Sequence, residues 1–187
     1  MCIRCCSFSI GADEIAVENF IKRYHFGQND KELVQSAAVF LAGIVQVDAA
    51  IGYEDNGVTC AVTLGKHYDE LAGIAEDSGN LLLSYCIECL GMEFLASAYE
   101  KISETVFTAT RKWLGDYRFL DVVDIEKDQS LFPICEAGGI QFEKGMLHPL
   151  KSVVFTAGYK EEKSGAGHDC GNCENAGCDY RQAAIIE

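Results

Sequence analysis

Residues 47–64 read VDAAIGYEDNGVTCAVTL, and their pattern governs how the rest of the chain can fold. Two apolar runs, Val47 to Tyr53 and Val58 to Leu64, are interpreted as strands. Between them stands Asp55-Asn56-Gly57, and Asn-Gly tolerates the positive φ angles of a tight hairpin turn. Strands joined by such a turn are antiparallel. The hairpin therefore favours an α+β domain, a mainly antiparallel sheet with packed helices, over a doubly wound parallel sheet.

The other predicted elements alternate between helix and strand around this hairpin. Strands are predicted at Ile3 to Ile10 and at Lys151 to Tyr159. Apolar residues at helical spacing predict helices at Asp13 to Tyr24, at Lys31 to Val45 after a cap at Asp30, at Asn80 to Ile102 and at Phe132 to Ala137. Two regions are less regular: Gly65 to Ala75 is interpreted as a loop that enters a short helix, and Arg111 to Asp128 has no clear assignment.

The composition of the chain changes at Glu161. The chain has 187 residues, of which 49% are apolar, and this length suits one domain with a short appendage. Residues 1–160 hold the periodic apolar segments and are predicted to form the α+β domain. Residues 161–187 are rich in Gly, Lys, Glu and Ser and are interpreted as a linker that carries a cysteine-rich tail.

Charge and hydropathy exclude several classes of partner. The net charge of −14 argues against nucleic acid and anionic membrane surfaces, because both repel an acidic protein. The start of the chain, Met1-Cys2-Ile3-Arg4-Cys5-Cys6, is not that of a secretory signal. No apolar stretch is expected to approach the roughly 20 residues that span a bilayer. These features predict a cytoplasmic protein.

Ten cysteines are a high count, and in a reducing cytoplasm they indicate metal ligation, redox chemistry or apolar packing rather than disulfides. Cys170-x2-Cys173-x4-Cys178 has the spacing of a thiolate knuckle, in which two sulfurs face one metal ion. Soft thiolates select an iron–sulfur cluster or zinc, and we favour the cluster. A fourth ligand is missing from this set. His168, the cysteines near the N-terminus or an external group are the alternatives.

The remaining cysteines fit structural roles. Cys86 and Cys89 lie three residues apart on one face of a predicted helix among apolar neighbours, which indicates buried small hydrophobes. Cys5 and Cys6 are adjacent on a predicted strand, so they point to opposite faces and do not easily share a metal.

No common catalytic motif accompanies these thiols. The sequence contains no P-loop, no Gly-x-Gly-x-x-Gly after a strand and no recognisable Ser/His/Asp order. The four histidines are scattered, and Glu88 and Glu93 are interpreted as ordinary residues of an exposed helix surface.

Two stretches of the chain resemble a known family, the activation (reactivation) domain of cobalamin-dependent methionine synthase. The first stretch is Val62-Thr63-Leu64-Gly65 followed by Tyr68-Asp69-Glu70, ahead of the long predicted helix. The second, GMLHPLKSVV at residues 145–154, is similar to the motif that leads into the family's last strand. Small stand-alone bacterial members also end in a Cys-x2-Cys, a further Cys and a pair like Tyr180-Arg181. The resemblance covers roughly residues 59–181.

The resemblance also implies where S-adenosylmethionine would bind. The family uses an Arg-x-x-Pro-Gly-Tyr loop, and the nearest stretch here is Arg111-Lys112-Trp113-Leu114-Gly115-Asp116. Leu114 and Asp116 replace the family's Pro and Tyr, and Tyr117 follows one place late. The implied cofactor site therefore consists of Arg111, Gly115 and Tyr117 alone.

Together, the resemblance and the cysteines lead to an expectation about function. They imply an accessory protein of a corrinoid-dependent methyltransferase system, which reductively reactivates a partner corrinoid protein through an iron–sulfur cluster. Cobalamin would enter only through that partner, because the chain has no Asp-x-His-x-x-Gly cobalamin signature. Two alternatives stay open: a zinc-knuckle binding module, and an S-adenosylmethionine-binding domain of the activation type.

Overall fold

The computed structural model describes residues 2–163 and shows an α+β domain. In chain order, its strands are β1 (Cys2–Ser9), β2 (Gln46–Tyr53), β3 (Gly57–Thr63), β4 (Trp113–Phe119), β5 (Gln141–Glu143), β6 (Met146–His148) and β7 (Ser152–Lys160). Five of them form one sheet in the order β1-β2-β3-β7-β4, and every neighbouring pair is antiparallel. A separate hairpin consists of β5 and β6. The predicted fold class and the mainly antiparallel sheet are confirmed.

Six α-helices pack on this sheet or on each other. They are α1 (Val17–Arg23), α2 (Lys31–Ile44), α3 (Gly65–Asp77), α4 (Leu81–Thr110), α5 (Val122–Lys127) and α6 (Phe132–Ala137). The starts of α2 and α4 and the whole of α6 agree with the sequence prediction. At α4 the reason is local: the side-chain oxygen of Asn80 accepts a hydrogen bond from the backbone N–H of Leu83 at 3.1 Å, which caps the helix.

Three helix boundaries differ from the prediction, and one of them is the end of α4, which continues to Thr110 rather than Ile102. α1 begins at Val17 rather than Asp13, which lies in a separate 3-10 turn, Ala12–Glu14. The backbone becomes extended at Ile15 (φ −93°, ψ 106°), and this directs the Ile15 side chain into the core at 4% exposure. α3 begins at Gly65 without the predicted loop. Gly65 has φ +76°, which lets the chain turn directly from β3 into the helix.

Residues 111–128, which had no assignment from sequence, contain β4 and α5. The pairing of β4 with β7 shifts register between Leu114 and Tyr117. Such a bulge breaks the two-residue alternation of side chains that identifies a strand in sequence. The irregular pattern therefore has a structural cause.

The three central strands of the sheet are buried on both faces. On the first face, cross-strand neighbours Ile51, Cys60 and Phe155 form one row, and all three are fully buried in the larger apolar cluster that includes residues of α2 and α4. Val153 and Phe155 face this cluster while Val154 faces the other side, as alternation predicts.

On the second face, a row of smaller side chains lies beneath α6. Ala50, Ala61 and Val154 are cross-strand neighbours and are fully buried in a second apolar cluster with residues of α5 and α6. Their size lets α6 approach closely. A Cβ placed on Gly138, just after α6, would lie 3.2 Å from the carbonyl oxygen of Ala61. The sheet is thus covered by helices on both sides.

The long helix α4 supplies ten buried residues to the domain. By length and composition alone it is also able to cross a membrane: an 18-residue window has a mean hydropathy of 1.5, and 44% of that window is buried. The prediction that no apolar stretch approaches this length is therefore wrong for α4. The core helix of a globular domain passes the same test, so the property does not assign α4 to a bilayer.

Removing the Phe155 side chain is expected to destabilise the domain by roughly 3–5 kcal/mol, because the ring is fully buried and contacts Tyr99, Tyr117 and Phe119 at centroid distances of 5.5, 5.0 and 5.9 Å. Urea unfolding of Phe155→Ala measures this loss. Leu150→Ala is the matched control, because Leu150 is 60% exposed and its truncation should change the free energy of unfolding by less than about 0.5 kcal/mol. A loss below about 1 kcal/mol for Phe155→Ala would contradict the packing described.

A pair of glycine substitutions tests the contact between α3 and α4. A Cβ on Gly91 would lie 2.3 Å from Tyr68 Oη, and Tyr68 is itself buried and donates a hydrogen bond to the carbonyl of Ile87 at 2.9 Å. Gly91→Ala should therefore cost about 1–3 kcal/mol of unfolding free energy. Gly43→Ala in α2 meets nothing within 4 Å and should instead stabilise by up to about 1 kcal/mol. Equal effects in thermal melts would contradict this arrangement.

Candidate metal centre

The four predicted metal ligands lie outside the described residues. Cys170, Cys173, Cys178 and His168 all follow Lys163, the last residue that the structure describes. Within residues 2–163, no group of three or more His, Cys, Asp or Glu side chains is arranged to hold a metal ion.

Four of the seven described cysteines are buried, namely Cys60, Cys86, Cys89 and Cys135. Burial raises the pKa of each of these thiols, and that of Cys86 to about 12. Because metal ligation and nucleophilic attack both require a thiolate, these groups are unsuited to either. The prediction that Cys86 and Cys89 are buried small hydrophobes is confirmed.

The other three described cysteines lie on β1, an edge strand. Cys2 and Cys5 are exposed, whereas Cys6 is half-buried. The Cys5 thiol donates a hydrogen bond to the carbonyl of Ala137 in the α6 helix at 3.3 Å, and the Cys6 thiol donates to Ala49 at 3.7 Å. Cys5 packs toward the second face of the sheet and Cys6 toward the first, so the prediction that they point in opposite directions is confirmed.

The chain leaves the described domain at the C-terminal end of α4. The Lys163 ammonium lies 4.9 Å from the centroid of the Trp113 ring and 3.6 Å from a carboxylate oxygen of Glu104. Trp113 in turn stacks on Phe107 with the centroids 4.2 Å apart and the planes 12° apart. These contacts place Lys163, the last described residue, beside the C-terminal half of α4.

The two stretches that carry the family resemblance meet in space. The Asp69 carboxylate accepts hydrogen bonds from the backbone N–H groups of Leu150 at 2.7 Å and Lys151 at 3.4 Å. The Ser152 hydroxyl donates to Thr63 Oγ1 at 2.8 Å, next to where the N–H of Leu64 bonds to the carbonyl of Lys151. These motif residues therefore join the start of α3 to the start of β7.

Arg111, Gly115 and Tyr117, the residues implied for S-adenosylmethionine, lie in three different environments. Arg111 is exposed, with φ 62°, at the end of α4, and its guanidinium lies 6.0 Å from the Phe107 ring. Gly115 is buried at the bulge of β4. The Tyr117 ring packs on Phe155 in the first apolar cluster, and burial raises its pKa to about 12.

The two polar neighbours of Tyr117 face the opposite way. Asp116 and Arg118 line an open groove of about 340 Å³ on the second face, together with Glu54 and Thr156. Sequence reasoning did not find this groove. The sequence signal that was available is the polar–apolar alternation of Asp116, Tyr117, Arg118 and Phe119. Once the bulge before Tyr117 is allowed for, this alternation places the two polar side chains on the same face of the strand.

Glu88 and Glu93 both make ion pairs. Glu88 is paired with Lys151 at 2.6 Å. Glu93 is paired with Arg23 at 2.5 Å and also accepts a hydrogen bond from the Tyr24 hydroxyl at 2.9 Å. Each carboxylate joins α4 to another segment, which is a structural role. Glu88 is exposed, as interpreted from sequence, whereas the Glu93 side chain is only 18% exposed, so that interpretation is wrong for Glu93.

Comparison of the chain with protein-family models and with curated proteins found no match. The resemblance to the methionine synthase activation domain therefore rests on the motifs in the sequence.

Thiol labelling tests whether the described cysteines are exposed or buried as the structure shows. In a variant with Cys170, Cys173 and Cys178 replaced by Ser, a disulfide reagent at pH 8 should modify Cys2 and Cys5 rapidly, and the four buried thiols only after unfolding. At a pKa of about 12 rather than 9.0, the thiolate fraction of Cys86 is about a thousandfold smaller than that of an ordinary cysteine. Peptide mass mapping identifies the labelled positions. Rapid labelling of Cys60 or Cys86 in the folded protein would contradict the burial described.

Proposed function

We propose that this protein is an accessory protein of corrinoid-dependent methyl transfer, which reductively reactivates a corrinoid protein in the cytoplasm. The observation that carries the proposal is the thiolate set Cys170-x2-Cys173-x4-Cys178, placed directly after an α+β domain with the motifs of the activation-domain family. The proposal assigns separate tasks to the two parts: the domain recognises the corrinoid protein, and the cysteine segment holds an iron–sulfur cluster.

The fold and the position of the motifs support the resemblance on which the proposal rests. The activation-domain family implies an α+β domain with packed helices, and the described chain has a five-stranded antiparallel sheet covered on both faces. Motif residues separated by about 80 positions meet through the carboxylate of Asp69. The two stretches that carry the resemblance therefore belong to one local structure.

The distribution of thiols supports the cysteine segment as the metal site. An iron–sulfur cluster bound by thiolates supplies one electron at low potential. Four described cysteines are buried with raised pKa values, and their thiols stay protonated at neutral pH. This leaves thiolate chemistry to the cysteines at the two ends of the chain. The proposed cytoplasmic location is supported by the high number of cysteines, because a reducing compartment keeps such thiols free of disulfides.

A zinc knuckle is the second candidate, because three thiolates at this spacing also suit zinc. The visible absorbance of the anaerobically purified protein separates the two: an iron–sulfur cluster is coloured, and zinc bound by thiolates is not. Binding of S-adenosylmethionine has less support. Tyr117, one of its three implied residues, has its ring packed against Phe155 and Tyr99 in the core.

Electron transfer to a corrinoid tests the proposal. The anaerobically purified protein is reduced with dithionite, freed of excess reductant and mixed with a cobalamin-loaded corrinoid protein in its oxidised state. We expect each reduced centre to lose one electron and one cobalt to gain it, which the cobalamin spectrum reports. The variant with Ser at Cys170, Cys173 and Cys178 should give no such change while it retains its circular dichroism spectrum and its binding to the corrinoid protein.

Three outcomes count against the proposal. Equal reduction by the cysteine-free variant would exclude electron transfer and leave only a binding module. Global unfolding of the variant would show that residues beyond Lys163 belong to the core of the domain. Colourless protein with stoichiometric zinc would replace the proposal by the zinc knuckle.

A further inference from the structure

The five-stranded sheet has two edges, and they differ in how they are protected. β4, at one edge, carries a register shift between Leu114 and Tyr117 and two exposed charged residues, Asp116 and Arg118. Bulges and charged side chains are common features that keep an edge strand from pairing with another chain. β4 is therefore a protected edge.

β1, at the other edge, has neither a bulge nor a row of charges. Its eight residues pair with β2 without a shift of register, from Cys2 opposite Tyr53 to Ser9 opposite Gln46. The strand contains no proline and no lysine, and Arg4 is its only charged residue. No hydrogen bond joins the outer backbone groups of β1 to another residue within the described part of the chain. A row of backbone N–H and C=O groups is thus available to a further strand.

The apolar layers on both faces of the sheet end half-covered at β1. On the first face, Cys6 and Phe8 are half-buried and pack against the larger apolar cluster, and on the second face Ile3 is half-buried against the smaller one. A partner that continues both layers must alternate its side chains between the two faces, as a strand does. The backbone and the side chains of this edge therefore fit the same partner, a β-strand with small or apolar residues.

Charge and symmetry favour β1 of a second copy as that strand. The chain has a net charge of −14, so two copies repel each other over most of their surfaces. β1 is an exception, because its one charge, Arg4, is positive. A basic partner is attracted to acidic surfaces and gains nothing at this edge. Twofold symmetry, the commonest in protein oligomers, brings the same small and apolar strand to both sides of the interface.

The twofold axis restricts the register of such a pair. Residues opposite each other in an antiparallel pair lie on the same face of the sheet, so they occupy positions an even number apart in β1. Two registers then pair seven residues of each strand: in one Cys5 lies opposite its counterpart in the second copy, and in the other Cys6 does. In both, Cys2 is at least about 20 Å from its own counterpart, because about six residues separate them along the strands.

We propose that this protein forms a dimer in which β1 of each copy pairs antiparallel with β1 of the other, so that two five-stranded sheets become one continuous sheet. The pairing supplies partners for the outer backbone groups of both edge strands and buries more of Ile3, Cys6 and Phe8. This inference is independent of the proposed function, because it uses only residues of the described domain.

Sedimentation equilibrium of the reduced full chain tests the proposal. We expect about twice the 20.5 kDa of one chain, with dissociation on dilution. Cys5→Lys places two positive charges close to the axis in either register and should raise the dissociation constant more than about tenfold. Cys5→Ser keeps the strand uncharged at this position and should dimerise like the unaltered chain. Ser36→Lys is the matched control: it adds the same charge on the exposed surface of α2 and should also dimerise.

Two further measurements locate the interface. Amide hydrogen exchange of the unaltered chain should be slow for those amides of β1 that point away from β2, and should quicken when the dimer is diluted. In the variant with Ser at Cys170, Cys173 and Cys178, diamide should link two copies through Cys5 or Cys6, two thiols giving one disulfide and reducing one diamide. Directly opposite residues have Cα atoms about 4.5–5.5 Å apart, which suits a disulfide. Cys2, although exposed, should form no such link.

Three results would overturn the proposal. One is a chain that stays monomeric at millimolar concentration. Another is a dimer that Ser36→Lys dissociates and Cys5→Lys does not, because its interface would then lie on α2. The third is slow exchange of the outer β1 amides in a monomer, which would mean that another part of the same chain pairs with β1. Circular dichroism checks that each variant is folded, and the exchange measurement on the unaltered chain depends on no variant.

Discussion

Burial of both faces of β2, β3 and β7 is the constraint on which the rest of this structure depends. An antiparallel sheet often exposes one face to water, but here all seven residues of β3 are buried. Apolar helices must therefore cover two surfaces, with α2 and α4 on one side and α5 and α6 on the other. The small residues Ala50 and Ala61 complete this arrangement, because they let the short α6 helix approach the sheet closely.

The same burial explains why four of the described cysteines are unsuited to thiolate chemistry. A thiol fills a small apolar space without a hydrogen-bond requirement that is costly to leave unmet, and its charged form is disfavoured in the core. Cys60 in β3 and Cys86 in α4 illustrate this, since both are fully buried and have raised pKa values. Thiols with access to solvent are found where burial ends, on the edge strand β1.

The motifs of the family resemblance have a physical role in this fold. The chain enters β7 through an irregular segment whose backbone N–H groups need acceptors, and the carboxylate of Asp69 supplies them for Leu150 and Lys151. Lys151 also pairs with Glu88 on α4 and lies 5.9 Å from the Tyr68 ring. One segment is thereby held to both helices of the α3–α4 pair. These contacts give the motif residues a role in the fold itself. The proposed role in corrinoid chemistry concerns the thiolate segment instead.

Local patterns in the sequence determined the class of the fold and much of its secondary structure. Two apolar runs flanking a short polar turn indicated an antiparallel hairpin, Asn80 marked the start of α4, and the apolar environment of Cys86 and Cys89 indicated burial, because each of these depends on residues close in sequence. The expected reason for the hairpin turn is wrong, since neither Asn56 nor Gly57 has a positive φ angle. The bulge in β4 and the register of β1 depend instead on pairing with strands distant in the chain. A period of two tells which residues share a face of a strand, but it does not tell which strand lies beside it. For this reason only the tertiary structure packed Tyr117 against the core and joined Asp69 to Lys151.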